Sequence, residues 1–95
     1  MAKFIIEGKI FDTEAAESII SYRKSYTVQI FGITYYIKRN TKLYKTSKGN
    51  WFSVSEEDYG NLTGHSESEA SVREILKKLN AIELYNNHFE ALEEA

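Results

Sequence analysis

Two histidines, His65 and His88, are the only side chains of this 95-residue chain whose ordinary pKa lies near neutrality. His65 stands near Asp58, Glu67 and Glu69 in sequence. One imidazole among flexible carboxylates lacks the fixed ligand spacing of structural and catalytic metal sites, so no metal is expected. His88 adjoins Phe89 and reads as a half-exposed helix residue. The run Glu56-Glu57-Asp58 resembles a set of catalytic carboxylates. Adjacent acids on a loop cannot hold the fixed separation that glycoside hydrolysis needs, so a solvated acidic turn is the expectation. The chain has no cysteine, which excludes thiol nucleophiles, thiolate zinc sites and disulfides. It contains no G-x-S-x-G elbow, no P-loop and no H-E-x-x-H. The inventory implies a non-enzymatic protein with no cofactor.

Binding chemistry is better represented. Residues 18–55 hold seven Lys or Arg and no Asp or Glu, whereas residues 56–95 hold ten acids against three bases. Such asymmetry suits a charged partner, unless the two halves fold together and neutralise one another. Strand alternation puts Ile33, Tyr35 and Ile37 on one face and Thr34, Tyr36 and Lys38 on the other. Leu43, Phe52 and Val54 are expected to continue the first, buried face, with Lys42, Tyr44 and Trp51 joining Tyr36 and Lys38 on an open one. Rings interleaved with lysines can stack on bases while the cations neutralise phosphate, as RNA or single-stranded DNA requires. A protein interface uses the same aromatic and basic residues, with Lys45 adding to the charge that steers toward an acidic surface. The acidic pole, Glu56, Glu57 and Asp58, offers a second contact surface. The structural alternative places Trp51 and several tyrosines in the core and the lysines at strand edges.

The elements that must position these groups form an α+β domain spanning residues 1–95. Residues 3–11 read as a short hairpin about Gly8 or a bent strand. Asp12-Thr13 is a helix-capping pair, Glu14 and Glu17 suit a first turn, and Ala15, Ala16, Ile19 and Ile20 have i, i+4 spacing. They predict a helix over 13–23. Four strands follow within 26–55, broken at Gly32, at Asn40-Thr41 and at Ser47–Asn50, and form one antiparallel sheet of four or five strands. Residues 56–67 read as an acidic loop. Ser66-x-x-Glu69 matches a capping box, and Val72, Ile75, Leu76 and Leu79 give the clearest helical stripe. Asn80 should end that helix, and Ile82, Tyr85, Phe89 and Leu92 make a second stripe. The helices are expected on one face of the sheet. The stripe or an exposed strand edge could support a homodimer. The longest early apolar run, Phe4–Ile6, is too short for a signal peptide or a membrane span, so a cytoplasmic protein is expected.

Three stretches carry a resemblance. Gly8-Lys9-Ile10-Phe11-Asp12-Thr13-Glu14-x-Ala16 resembles the opening of a set of small bacterial proteins, some from mobile elements. Leu43-Tyr44-Lys45-Thr46-x-Lys48-Gly49-x-Trp51-Phe52 resembles their central hairpin, and Tyr85-x-x-x-Phe89 their tail. The chain departs from that pattern in having an acidic loop in place of a glycine-rich stretch, and no proline before the long helix. The resemblance implies a shared fold and no catalytic residues. In size and composition the chain is also similar to phage-encoded inhibitors such as anti-CRISPR proteins. That likeness implies an inhibitor that occupies a partner's surface, the partner being a protein or nucleoprotein.

Overall fold

Alternation, rather than helical periodicity, organises most of the chain. The computed structural model describes residues 2–95, apart from the Asp58 side chain. The elements are β1 (Lys3–Ile6), β2 (Lys9–Asp12), β3 (Glu17–Ile30), β4 (Ile33–Lys45), β5 (Trp51–Glu56), β6 (Leu62–Glu67), α1 (Glu69–Lys78) and α2 (Ile82–His88). A 3-10 turn at Asp58–Gly60 joins β5 to β6. β1 and β2 pair as a hairpin, and the other strands form an antiparallel meander in the order β3-β4-β5-β6. The class is α+β, with both helices at the C-terminal end.

No helix spans 13–23, which corrects the sequence expectation. The capping signals there close a turn instead. Asp12 Oδ1 accepts from the Glu14 amide at 3.0 Å, and the Ala15 amide donates to the Asp12 carbonyl at 3.2 Å. Beyond the turn, Ile20, Tyr22, Lys24, Tyr26 and Val28 alternate without interruption as half-buried residues. Paired β-branched residues and three serines favour a strand over a helix. A register shift between Ser18 and Ile20 lets Ile19 and Ile20 both reach the helix-side core. Asn40-Thr41 is likewise no turn: Arg23 pairs with Asn40 and Tyr22 with Thr41, so β4 runs straight through. Part of the expected acidic loop is strand β6, whose residues 62–67 pair with β5.

The sheet is covered on both faces at its β5 end. On one face Leu43, Trp51, Val72, Leu76 and Tyr85 form a core beneath α1 and α2, with Ile20, Tyr22 and Phe89 around it. On the opposite face Phe52 and Val54 pack with Phe11, Phe4, Ile6 and Tyr44 under the β1–β2 hairpin. Leu43 therefore faces away from Phe52 and Val54, contrary to the expected single buried face. Residues 51–55 are all buried because neighbours cover both sides of β5. Gly64 lets the Phe4 ring lie on the sheet, since an added Cβ would sit 2.6 Å from the ring. Helix α1 is capped by Ser68, whose hydroxyl accepts from the Ser71 amide at 3.1 Å, and not by Ser66. Asn80 adopts φ 55° just past the C-cap, as a left-handed terminator does.

Candidate functional site

β5 pairs with β4 only as far as Thr41. Beyond that rung β3 and β4 continue as a two-stranded ribbon, Arg23–Ile30 against Ile33–Asn40. At about 3.3 Å per residue this arm projects roughly 25 Å. The molecule is correspondingly elongated, at 46 × 35 × 20 Å. Cross-strand partners share a face, so the register sorts the arm's side chains. Tyr26/Ile37, Val28/Tyr35 and Ile30/Ile33 form three apolar rungs on one face. Ser25/Lys38, Thr27/Tyr36 and Gln29/Thr34 form a polar row on the other. The Tyr26 hydroxyl lies 2.9 Å from Ser55 Oγ, which is 2.9 Å from Thr41 Oγ1. Those contacts put the apolar rungs on the same side as the helices, beyond the reach of either.

The tip is stranger still. Phe31 and Gly32 make a two-residue turn with φ 50° and 77°, the all-positive backbone of a type I′ hairpin. Glycine or asparagine suits both positions, and a bulky ring there is strained. Phe31 is also 99% exposed. Neither backbone preference nor packing within the fold accounts for a phenylalanine at this point.

Cations gather at the arm's base. Lys24 Nζ and the Arg39 guanidinium lie 5.4 and 5.8 Å from the Tyr26 ring centroid. Lys24 also approaches Glu67 at 4.0 Å. Glu67 accepts from Ser53 Oγ at 2.6 Å and Ser71 Oγ at 2.7 Å, which ties β5 and α1 to β6. Burial, then the Glu67 charge and Tyr26, push the Tyr22 phenol up to about 12. Its hydroxyl is buried without a hydrogen-bond partner among the described residues. The other ion pairs, Arg73–Glu90 and Lys77–Glu74, lie within the acidic half of the chain. Among the described residues, Lys24–Glu67 is thus the one ion pair joining the basic segment to the acidic one, and the basic segment keeps most of its charge unpaired.

The residues singled out by sequence fall in four places. Tyr36, 79% exposed, and Lys38 lie on the polar face of the arm. Lys42, Tyr44 and Glu56 meet at a cleft of about 590 Å³ between the β1 end and the sheet, shared with Arg23 and Asn40. Tyr44 is half-buried there and stacks on Phe52 at 5.0 Å. Trp51 and Lys45 are on the opposite, helix-covered face. Trp51 is core, stacked on Phe89 at 5.9 Å and edge-on to His88 at 5.2 Å, with Lys45 Nζ 5.0 Å from its ring. The expected open platform of Tyr36, Tyr44 and Trp51 is therefore not assembled. Trp51 opposes Lys45 rather than Tyr44, and a one-residue change of register reverses every side chain. Glu56 and Glu57 are exposed around the turn, where the Glu57 amide donates to the Asn61 carbonyl at 2.6 Å. The Asp58 side chain lies outside the described residues. His65 and His88 are on different elements, and no group of three or more His, Cys, Asp or Glu that could hold a metal occurs among the described residues.

Ile30, Phe31, Ile33 and Tyr35 were not recognised as a surface from sequence. Their signal was the alternation on both sides of Phe31-Gly32, which sequence alone reads as core. No helix is long and apolar enough to cross a membrane among the described residues. No family model, no curated protein and no solved structure matches the chain.

Proposed function

We propose that this chain is a non-enzymatic protein-binding module that contacts its partner through the β3–β4 arm and acts by occupying the partner's surface. The carrying observation is the uncovered apolar face: Ile30, Ile33 and Tyr35 are 49, 56 and 47% exposed, and Phe31 stands clear at the tip. Contiguous apolar surface left in water on a small protein marks a contact site. The partner's chemistry follows from the charges. Residues 25–37 carry none, and Arg23, Lys24, Lys38 and Arg39 ring the base. That pattern fits an apolar cleft rimmed with carboxylates, where rim charges accelerate and orient docking. A nucleic-acid backbone needs cations along the whole contact, which the distal arm lacks.

The test is affinity capture from nuclease-treated lysate of the source cells, with the wild-type chain and an Ile30→Thr/Ile33→Thr/Tyr35→Thr variant. Threonine keeps strand propensity while removing the apolar surface. A protein held by the wild type and lost with the variant, at unchanged circular dichroism, is the expected result. Capture that nuclease abolishes, or that the variant retains in full, overturns the reading and favours binding of RNA or single-stranded DNA elsewhere on the basic segment.

A further inference from the structure

The outer edge of β3 is as unusual as the arm's face. At fourteen residues it is more than twice the length of a common strand, and it forms one edge of the sheet. No backbone hydrogen bond outside the β4 ladder engages β3 among the described residues. The two-residue turn makes Ile30/Ile33 a hydrogen-bonded rung, so even-numbered residues of β3 bond inward to β4. The amides and carbonyls of Ser21, Arg23, Ser25, Thr27 and Gln29 therefore point out to solvent. All five side chains are exposed, and four are small or uncharged. A two-stranded ribbon is marginal alone in water, and a third strand is what such a ribbon lacks.

We infer that a second copy of this chain supplies that strand, with β3 pairing antiparallel to the partner's β3 across a two-fold axis perpendicular to the sheet. Outward-pointing odd residues must meet odd residues, which leaves few registers. Centring on Arg23 or Lys24 sets like charges against each other and is excluded. Centring on Ser25 or Tyr26 places Arg23 opposite the partner's Thr27 or the partner's Gln29. The same two registers set Ile30 beside the partner's Ile20 or the partner's Tyr22, the rim of the helix-side core. The apolar rungs of each arm then continue the apolar edge of the other copy, and the sheet becomes eight-stranded. This pairing uses the edge and Ile30 and leaves Phe31, Ile33 and Tyr35 available, so it stands apart from the docking proposed above.

Sedimentation velocity over a concentration series tests it, and twice the 11.0 kDa chain mass is the expected species. Thr27→Pro removes an outward amide and no β4 ladder bond, so the chain should fold while dimer dissociation rises about tenfold or more, the change occurring twice per dimer. Thr27→Lys, which adds a cation near the partner's Arg23, serves if the proline variant does not fold. Because the chain is cysteine-free, Ser25→Cys and Tyr26→Cys report the register directly, and one of them should cross-link on mild oxidation. Monomer mass at every concentration, or a dimer indifferent to both Thr27 variants with neither cysteine trapping, overturns the inference. Such an outcome leaves the apolar face still open to a different protein, so the two readings fail separately.

Discussion

Replacing Phe31 by asparagine should make the isolated chain more stable. The wild-type residue sits at φ 50° beside Gly32 at φ 77°, and its ring is 99% exposed. A left-handed backbone costs a bulky residue about 1–2 kcal/mol, and asparagine, whose short side chain tolerates that region, avoids much of it. No packing is lost, since the ring touches solvent. Phe31→Asn should therefore stabilise the arm by about 1 kcal/mol through an Asn-Gly type I′ turn. If the arm melts together with the sheet, the gain appears as a rise of about 4–8 °C in Tm. If the arm opens first, the gain appears as roughly fivefold slower hydrogen exchange at its ladder amides. Circular dichroism melts and exchange followed by NMR cover both cases. Faster exchange or a lower Tm would refute the reasoning, because it would mean the ring packs within the folded chain. The proposed function adds the opposite sign for partner capture, which the same variant should weaken.

Other substitutions test the rest of the frame. Trp51→Ala should cost about 3–5 kcal/mol in urea unfolding and Tyr36→Ala less than about 0.5, because one ring is core and the other 79% exposed; the reverse ranking would return Trp51 to the surface. Gly64→Ala should destabilise by about 1–3 kcal/mol, since its Cβ meets the Phe4 ring at 2.6 Å and lifts the β1–β2 hairpin; an unchanged urea midpoint contradicts that packing. Tyr22, with a folded pKa of about 12 above an ordinary 10.0, contributes stability that is intact below pH 10 and lost as pH rises through 12. Solvent screens a half-buried phenol, so the expected alkaline loss is about 1 kcal/mol. Tyr22→Phe should lack that alkaline loss relative to wild type and cost little at pH 7, its hydroxyl having no partner to forfeit among the described residues; identical alkaline profiles would discount the shift.

The parts legible in sequence were those whose local signals act alone. Val72, Ile75, Leu76 and Leu79 signal α1, Asn80 ends it, Ser47–Asn50 signals a hairpin, and Gly8 signals a hairpin or a bent strand, of which the structure has the hairpin. Segments whose local signals conflict were read less well. Residues 13–23 carry a capping pair, acids and an i, i+4 stripe, all helical, yet Ile20 and Tyr22 also alternate in phase with Tyr26 and Val28. Pairing with thirteen residues of β4 decides the matter, and that partner is a long-range fact that no local window contains. The misplaced Trp51 has the same origin. The alternation within β5 is plain in the sequence, but its phase relative to β4 depends on where the 46–50 turn closes, and Lys45 pairing with Trp51 sets that ring on the helix side.

Side-chain alternation says which residues share a face and not whether anything covers that face. At the β5 end two layers cover the sheet, and the polar residues buried there, Thr41, Ser53 and Ser55, all find hydrogen bonds. Along the arm the same alternation yields a face just as apolar, with no layer above it and a strained ring at its tip. A sequence selected only to fold would place Asn-Gly at this turn and polar residues on both ribbon faces. The strained ring and the uncovered apolar rungs fall together on one element, and under the proposed function the demand that set them there is a contact with another molecule. The base of the arm is consistent with this. Tyr26 is bonded to Ser55 and flanked by Lys24 and Arg39, so the ribbon leaves the domain from a fixed root and presents Phe31 at a defined distance and direction. Under the proposed function, fixing the arm before docking lowers the ordering cost of association.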